Sequence, residues 1–511
     1  MGFSASFLYA LFCSVISSIL AEHVTVTVNA ATAVAETDFN FVCATIDWWP
    51  KEKCNYGMCP WHESSLISLD LSNPILHNAI KAFKSLRIRL GGSLQDQVVY
   101  QVGKNPPKCH SFKTIKKGLF GFSQGCLTMR RWDELNHFFS KTGSVLTFGL
   151  NALTGRKRVT RRGLYVGNWD PTNAHDFIEY TVSKGDNIES WEFGNELTGD
   201  TGVAARVNAW QYGKDLIKLK EIISKIYHKN DKKQPKLLAP GGFYEPRWFA
   251  DMLRTSGPNV VDAVTQHIYN LGAGVDRKLI YKIQNPHYLS RIASTYRHFS
   301  TTIRNFGPWS AAWVSESGGA YNSGGKEVSN TFVNSFWYLD QLGMASTFGH
   351  KVFCRQSLIG GNYGLLNTTT FVPNPDYYSA LLWHKLMGPR VLKTIQNGSQ
   401  FLRAYAHCSK KKPGITVLLI NLARKTAFEV SVASELSARK RGTREEYHLT
   451  PQGRNLRSHV MLLNGKPLNL NCENHIPKLL PLIAEASAPV RLVPLSIAFV
   501  RFKGLTAPAC S

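Results

Sequence analysis

Residues 188–199 read IESWEFGNELTG, a short apolar run that ends in a glycine and two polar residues. In residues 204–227, which follow, apolar side chains recur at intervals of three and four, as in a helix that packs on one face. The two segments together predict a β-strand followed by an α-helix. The same pattern occurs eight times before residue 388, with strand runs FVCATI (41–46), SLRIRLGG (85–92), VLTFGLNAL (145–153), IESWEFG (188–194), LLAPGG (237–242), AVTQHIY (263–269), AAWVSES (311–317) and KVFCRQSL (351–358).

Eight strand–helix units predict an α/β fold in which eight parallel strands close into a (β/α)8 TIM barrel. About 250 residues is typical of such a barrel, so residues 41–388 would hold a barrel with insertions. A doubly wound open sheet is the alternative. It is disfavoured because no GxGxxG sequence follows the first strand.

After residue 388 the chain consists of short alternating segments separated by Lys, Asn, Gly and Pro. This pattern predicts a C-terminal antiparallel β-sandwich domain over residues 389–511. Residues 22–40 include HVTVTVNA, which has the same alternation. We therefore expect this N-terminal strand to join the β-sandwich.

The first 21 residues contain no charged side chain and are mostly apolar. They predict a secretory signal peptide over residues 1–21. An uncleaved membrane anchor is the alternative, disfavoured because serines interrupt the apolar run. Export predicts a location outside the cell or in the cell wall, or in a lysosome or vacuole. Asn367 and Asn397 begin N-glycosylation sequences, which an exported protein would expose to modification.

Nine cysteines follow the signal peptide, and an oxidising compartment favours disulfides between them. The odd number leaves at least one thiol unpaired. Cys109 with Cys126, and Cys408 with Cys510, are candidate pairs, although spacing does not fix the connectivity.

The chain has 60 Lys and Arg against 35 Asp and Glu, a net charge of +25. Such an excess favours an anionic partner, which could be nucleic acid, an acidic lipid surface or an acidic polysaccharide. Export disfavours nucleic acid. We therefore expect an acidic polysaccharide or proteoglycan as substrate, with peripheral association with a membrane or wall as a further expectation. Nothing in the sequence predicts the oligomeric state.

Two predicted barrel strands end in a glutamate, Glu196 after the fourth and Glu316 at the end of the seventh. Barrel enzymes hold their active sites at the carboxyl ends of the strands. Burying a carboxylate is unfavourable unless it is paired or used, and a structural salt bridge would explain one such residue more easily than two. Two facing carboxyl groups suit glycoside hydrolysis, which needs neither a metal nor a cofactor. Asn195 could then donate to the sugar 2-hydroxyl.

Seven segments together resemble the heparanase-like proteins of glycoside hydrolase family 79. They are TIDWWP (45–50), LRIRLGG (86–92), FGLNAL (148–153), WEFGNEL (191–197), TQHIYN (265–270), WVSESGGAY (313–321) and GGNYGLL (360–366). The resemblance runs from about residue 23 to the C-terminus. It implies a retaining endo- or exo-β-glucuronidase, built from a barrel and a β-sandwich formed by both chain ends.

The resemblance also implies roles for individual residues. Glu196 would be the acid/base and Glu316 the nucleophile. The subsite for glucuronic acid would be lined by Asp47, Asn195, Tyr269 and Tyr363. From the residues alone, core or rim aromatics would be the favoured reading of the two tyrosines, and Asp47 could equally cap a loop.

Two features differ from the family pattern. No long excised linker follows the second strand, which argues against activation by cleavage into two chains. Family members present glycine amides to the substrate carboxylate after the nucleophile, whereas this chain has Tyr321-Asn322-Ser323 before Gly324 and Gly325. The glycan therefore stays open: arabinogalactan glycans if the protein is plant-like, heparan sulfate if it is animal-like.

The densest positive cluster, GRKRVTRRG (155–163), follows the third strand and would open on the catalytic face. It could bind carboxylate or sulfate groups of a long glycan through Arg156, Lys157, Arg158, Arg161 and Arg162. A solvated loop without such a role is the alternative.

A secreted, non-catalytic binding protein for anionic glycans is the alternative function. That reading predicts loss of a catalytic glutamate, and both glutamates are present.

Overall fold

The computed structural model describes residues 21–159, 163–199, 204–410, 413–434, 442–503, 505 and 507–510. The expected signal peptide lies outside these ranges except for Ala21. Within the described ranges, no helix has both the length and the apolar character needed to cross a membrane.

The strands are β1 (Ala21–Glu36), β2 (Val42–Ile46), β3 (Arg87–Leu90), β4 (Val98–Gln101), β5 (Thr114–Leu119), β6 (Gly125–Thr128), β7 (Val145–Leu150), β8 (Lys157–Arg158), β9 (Leu164–Val166), β10 (Ser190–Phe193), β11 (Arg206–Val207), β12 (Lys236–Gly242), β13 (Ala263–Ile268), β14 (Gly272–Ala273), β15 (Ala311–Ser317), β16 (Ala320–Tyr321), β17 (His350–Arg355), β18 (Met387–Gln396), β19 (Leu402–Ser409), β20 (Ile415–Asn421), β21 (Ala427–Ser434), β22 (Thr443–Pro451), β23 (Met461–Leu463), β24 (Lys466–Pro467), β25 (Leu482–Glu485), β26 (Val490–Leu492) and β27 (Ser496–Phe502).

The α-helices are α1 (Pro74–Lys81), α2 (Met129–Thr142), α3 (Thr172–Ser183), α4 (Ala209–Lys229), α5 (Pro246–Ser256), α6 (Leu279–Ile283), α7 (Pro286–Ser290), α8 (Ala293–Phe306), α9 (Asn334–Thr347) and α10 (Pro375–Leu386).

Eight parallel strands, β2, β3, β7, β10, β12, β13, β15 and β17, form a closed barrel. Each strand run predicted from the sequence overlaps one of them, and at least one α-helix follows each strand. The predicted (β/α)8 barrel is confirmed. The barrel closes where β17 pairs with β2, with Cys354 opposite Cys43.

A small apolar cluster occupies one level of the barrel strands. It consists of Cys43, Leu238, Ala263, Trp313, Val352 and Cys354, all buried. Cys43 and Cys354 form a disulfide, which links the first and last barrel strands directly. Positions further along the same strands carry the polar groups of the site described below.

The remaining large sheet has eleven strands, which are β1 and the ten described strands after the barrel, β18 to β27. β1 pairs antiparallel with β18 and parallel with β21, so the sheet is mixed rather than wholly antiparallel as the sequence suggested. Successive side chains of β20 face two different cores. Val417 and Leu419 pack in the core of the large sheet, and Leu418 and Ile420 pack in the core of the barrel.

Both disulfides suggested by the sequence are present, Cys109–Cys126 and Cys408–Cys510. Two further disulfides are Cys43–Cys354 and Cys54–Cys59. Cys472 is an exposed free cysteine, as expected because nine cysteines cannot all form pairs.

The two N-glycosylation sequences lie at the protein surface. Asn397 is exposed and Asn367 is partly exposed. Their side-chain oxygens accept hydrogen bonds from the backbone, Asn397 from Thr25 and Asn367 from Thr369. Glycosylation at these positions stays a prediction.

Candidate active site

Glu196 and Glu316 lie close together at the carboxyl ends of their strands. One carboxylate oxygen of each, with a ring nitrogen of His267, form a group of atoms all within 4.8 Å of one another. Both glutamates are buried, with 6% and 5% of their surface exposed. Glu196 has a left-handed backbone (φ 56°), uncommon for a residue with a side chain. Its N–H donates to Gly241 O at 2.7 Å, which helps to hold it there.

Glu196 has an environment that favours its protonated form. Burial raises the pKa of its carboxyl group to about 7, and Arg89 lowers it only in part. His267 Nδ1 lies 3.0 Å from Glu196 Oε1. Burial also lowers the pKa of His267 to about 4, so the imidazole is neutral near pH 7 and adds no charge that would stabilise a carboxylate.

Glu316 is held by two donors, one on each oxygen. Arg89 Nη1 donates to Oε2 at 2.8 Å, and the Tyr269 hydroxyl donates to Oε1 at 2.5 Å. The positive charge beside Glu316 contrasts with the neutral imidazole beside Glu196. The carboxylate of Glu316 is thus fixed in orientation.

Arg89 connects the groups of the site. It is fully buried on β3 and also donates to Glu192 Oε2 at 2.5 Å and to Asn195 Oδ1 at 2.9 Å. Burial is the largest influence on the pKa of Glu192 and would raise it, but the charge and hydrogen bond of Arg89, with smaller contributions from His267 and Ser315, together hold that pKa below the usual range. Asn195 is oriented further by Asp96, which accepts from its backbone N–H at 2.8 Å.

Asn195 Nδ2 is buried and has no acceptor among the described residues. Its Oδ1 already accepts from Arg89, which fixes the orientation of the amide. A buried donor without an acceptor is unfavourable, so this amide is suited to a ligand oxygen.

Asp47 lies at the end of β2 and is also buried. Gln356 Nε2 donates to its Oδ2 at 2.9 Å, and the Trp48 backbone N–H donates to Oδ1 at 2.7 Å. Burial, together with the nearby charge of Glu316, raises the pKa of Asp47 to about 7. Gly92 (φ 107°) passes so close that any side chain there would overlap the Asp47 carboxylate.

Tyr363 is buried and completes the set of six residues expected from the resemblance. Arg355 Nη2 donates to its carbonyl oxygen at 2.9 Å, and its ring packs against Gly318 and Gly324. Burial raises the pKa of Tyr363, and the nearby charges of Asp47 and Glu316 add to the rise. The structure thus brings all six residues to one end of the barrel.

Glu196, His267 and Glu316 also form the one group in the described ranges whose side chains could jointly ligate a metal ion. The Arg89 guanidinium, 2.8 Å from Glu316, already places a positive charge at this position. A second cation would be repelled, so the group fits acid–base chemistry better than metal binding.

Sequence reasoning missed several residues that orient the predicted ones, above all Arg89, Glu192, His267, Asp96 and Gln356. A signal was available in two strands. In LRIRLGG, the arginines alternate with apolar residues, so Arg89 had to face the barrel interior. In WEFG, Glu192 likewise lies between two apolar residues of its strand, so the same argument applies to it.

The basic segment after the third strand differs from expectation at one residue. The Arg156 guanidinium is buried, contacts Asp215 in an ion pair at 2.5 Å, and donates to two backbone carbonyls. The expectation that Arg156 contacts a glycan is therefore wrong. Lys157 and Arg158 are exposed on β8, and Arg161 and Arg162 lie outside the described residues.

A closed parallel barrel with one glutamate after its fourth strand and a neighbouring one at the end of its seventh strand is typical of glycoside hydrolases. The model of the N-terminal domain of glycosyl hydrolase family 79 matches residues 23–343. The chain belongs to this family, and it is a hydrolase that acts on glycosidic bonds.

Relatives match over nearly the whole chain. Heparanase-like protein 2 of Arabidopsis thaliana is 53% identical and covers 96% of each chain. Baicalin-beta-D-glucuronidase of Scutellaria baicalensis is 42% identical, covering 96% of this chain and 94% of that protein. Among solved structures, the family 51 α-L-arabinofuranosidase of Thermotoga petrophila has a TM-score of 0.67 at 14% identity, covering 94% of this chain and 99% of that one, which supports the fold alone.

Proposed function

We propose that the protein is a retaining β-glucuronidase that acts on acidic glycans or proteoglycans, with Glu316 as nucleophile and Glu196 as acid/base. One observation carries the mechanism: one carboxylate oxygen of Glu196 and one of Glu316 lie within 4.8 Å of each other. Retaining glycosidases hold their carboxyl groups about 5–5.5 Å apart, and inverting enzymes about 6.5–9.5 Å.

In the first step, a Glu316 oxygen attacks the anomeric carbon while the bond from that carbon to the leaving oxygen breaks. Glu196 donates its proton to the leaving oxygen. The raised pKa of Glu196, about 7, supports this role because the carboxyl group is protonated below that pH. The product of this step is a glycosyl ester on Glu316.

In the second step, Glu196, now ionised, takes a proton from water. The water oxygen attacks the anomeric carbon, and the ester bond to Glu316 breaks. The sugar leaves with its original configuration, and both glutamates regain their starting protonation states. The Asn195 amide, which has no acceptor in the described part of the chain, would donate to the sugar 2-hydroxyl in both transition states.

Three observations support a glucuronide as substrate. One relative is named a baicalin-beta-D-glucuronidase. The net charge of +25 attracts acidic substrates. Around Tyr363, the backbone N–H groups of Asn322, Ser323 and Gly324 have no acceptor within the described ranges, so they are available to a carboxylate. Four disulfides support passage through the secretory pathway.

The test is release of a fluorescent aglycone from a β-glucuronide at mildly acidic pH, with the β-glucoside as control. We expect wild-type activity on the glucuronide, and none in Glu316→Gln. Azide should restore turnover in Glu196→Ala and give a β-glycosyl azide, since azide needs no base to attack the glycosyl ester. An α-azide from Glu196→Ala, or a glucoside hydrolysed as fast as the glucuronide, would contradict the proposal.

A further inference from the structure

The loop after the seventh barrel strand holds three consecutive residues in the left-handed backbone conformation. Their φ angles are 57° at Asn322, 73° at Ser323 and 75° at Gly324. Glycine adopts this conformation readily, whereas residues with a side chain do so at a cost. Two successive non-glycine residues of this kind require contacts that hold them in place.

Those contacts come from one short loop after the first barrel strand. Asn322 Nδ2 donates to the Tyr56 hydroxyl at 2.8 Å, and Ser323 Oγ donates to Asn55 Oδ1 at 2.8 Å. The Trp61 indole N–H donates to Ser323 Oγ at 2.9 Å. Both non-glycine side chains are thus tied to residues 54–61.

This loop is itself rigid. A disulfide joins its ends, and we name residues 54–59 the Cys54–Cys59 loop. Asn55 and Met58 exchange two backbone hydrogen bonds, at 2.8 and 3.0 Å. Tyr56 and Gly57 between them both have positive φ, as in a two-residue hairpin turn. The disulfide therefore closes a small hairpin that presents Asn55 and Tyr56.

The opposite side of the left-handed segment contacts the residues around Tyr363. Asn362 N–H donates to Ser323 O at 2.7 Å, and Asn362 Nδ2 donates to Gly324 O at 3.2 Å. A Cβ on Gly324 would lie 2.8 Å from the Tyr363 ring, so only glycine fits there. The carbonyl groups of Ser323 and Gly324 are thus engaged, whereas the N–H groups of Asn322, Ser323 and Gly324 have no acceptor among the described residues.

We infer that the Cys54–Cys59 loop is a positioning element for substrate recognition. It holds Asn322 and Ser323 in the left-handed conformation, so that their backbone N–H groups face a ligand carboxylate beside Tyr363. This inference rests on the proposed function, because the carboxylate is that of a glucuronide.

The test measures binding without turnover, by calorimetry with phenyl β-D-thioglucuronide and the matching thioglucoside. The variant is Cys54→Ser with Cys59→Ser, and the matched control is Cys408→Ser with Cys510→Ser, which removes a disulfide in the large sheet. We expect the first variant to bind the thioglucuronide about tenfold more weakly, because hydrogen bonds to a charged group are lost. Its affinity for the thioglucoside, and the affinity of the control for both ligands, should change much less.

A second pair of variants tests the backbone conformation. Asn322→Gly should bind the thioglucuronide more tightly than Asn322→Ala, since glycine needs no tether to adopt positive φ. Equal affinities for these two variants, or equal weakening for both ligands in the Cys54→Ser/Cys59→Ser variant, would overturn the inference and leave the proposed function intact. A wild-type protein that neither binds the thioglucuronide nor hydrolyses a glucuronide would overturn both.

Discussion

The two levels of the barrel interior are built by the same strands with opposite chemistry. On β2, Cys43 belongs to the apolar cluster, and Asp47 lies at the other end of the strand. On β15, Trp313 packs in that cluster, and Glu316 belongs to the site. The apolar level carries a disulfide and the Trp313 ring, on which the guanidinium of Arg87 stacks while it pairs with Glu189. The polar level instead holds Arg89 among two carboxylates and one amide.

The difference separates stability from function along each strand. Apolar burial and a covalent link stabilise the closed barrel without any requirement for hydrogen-bond partners. The polar level depends on Arg89, which satisfies several groups at once. Asn195 and His267 still each retain one nitrogen without a partner among the residues that the structure describes. We expect substitutions at the two levels to give opposite outcomes, loss of activity at one and loss of stability at the other.

The largest effect is expected for Glu316→Gln. Loss of a nucleophile lowers kcat by about 10⁴-fold or more, and the amide keeps the shape of the side chain. The measurement is kcat on an aryl β-glucuronide, with thermal unfolding as the control for folding. A variant that keeps a tenth of the wild-type kcat would refute the assignment of Glu316.

Glu196→Ala should have a smaller effect that depends on the leaving group. General acid catalysis contributes about 10²–10⁴-fold, and a nitrophenolate leaving group needs less of it than a sugar does. We therefore expect the ratio of wild-type to variant kcat/KM to rise with the pKa of the leaving phenol. A ratio that is the same for all phenols would exclude Glu196 as the acid.

The pKa of Glu196 sets the alkaline limit of activity. The proton must be present on Glu196, whose pKa burial raises to about 7, so activity is retained below pH 7 and lost above it. We expect kcat/KM on a glucuronide to fall about tenfold per pH unit above about pH 7. The same limit well above pH 8 would contradict the assignment of Glu196 as the group that must be protonated.

At the apolar level, Cys43→Ala with Cys354→Ala should lower stability and spare catalysis. Removing a disulfide that spans 311 residues of sequence is expected to cost about 2–5 kcal/mol of unfolding free energy. The measurement is denaturant unfolding of both proteins, together with kcat/KM at a temperature where both are folded. A large loss of kcat/KM with unchanged stability would show that the two levels are not separate.

Much of this architecture could be predicted because it depends on periodicity. Buried parallel strands have continuous apolar runs, and all eight were visible from LRIRLGG and its equivalents. Glu196 and Glu316 were visible because each carboxylate ends such a run. Asn195 was visible from its position directly before Glu196. Asp47, Tyr269 and Tyr363 came from the resemblance alone, since nothing in their spacing distinguishes them from core or loop residues.

The rest depends on contacts between distant parts of the chain. The parallel pairing of β1 with β21 joins segments some 400 residues apart, and no local pattern specifies its direction. Arg156 lies in a segment that looks solvated, yet its partner Asp215 belongs to α4. The hydrogen bond of Asn322 to Tyr56 is likewise set by the fold, since the two residues are 266 positions apart in the sequence.

The smallest effect is expected at the basic segment beside the third strand. Arg156 forms a buried ion pair and therefore has a structural role. Its neighbours Lys157 and Arg158 are exposed and could contact a glycan, so substitutions of Arg156 and of its neighbours should have different effects. Replacing both neighbours with alanine should raise KM for an acidic polysaccharide by about two- to threefold, since exposed charges are screened by solvent. KM for a small aryl glucuronide should not change, because that substrate does not extend beyond the barrel mouth. Arg156→Met should instead lower the unfolding temperature, since it leaves Asp215 buried without its partner. Equal increases in KM for both substrates would mean that Lys157 and Arg158 act on the site itself and not on the polymer.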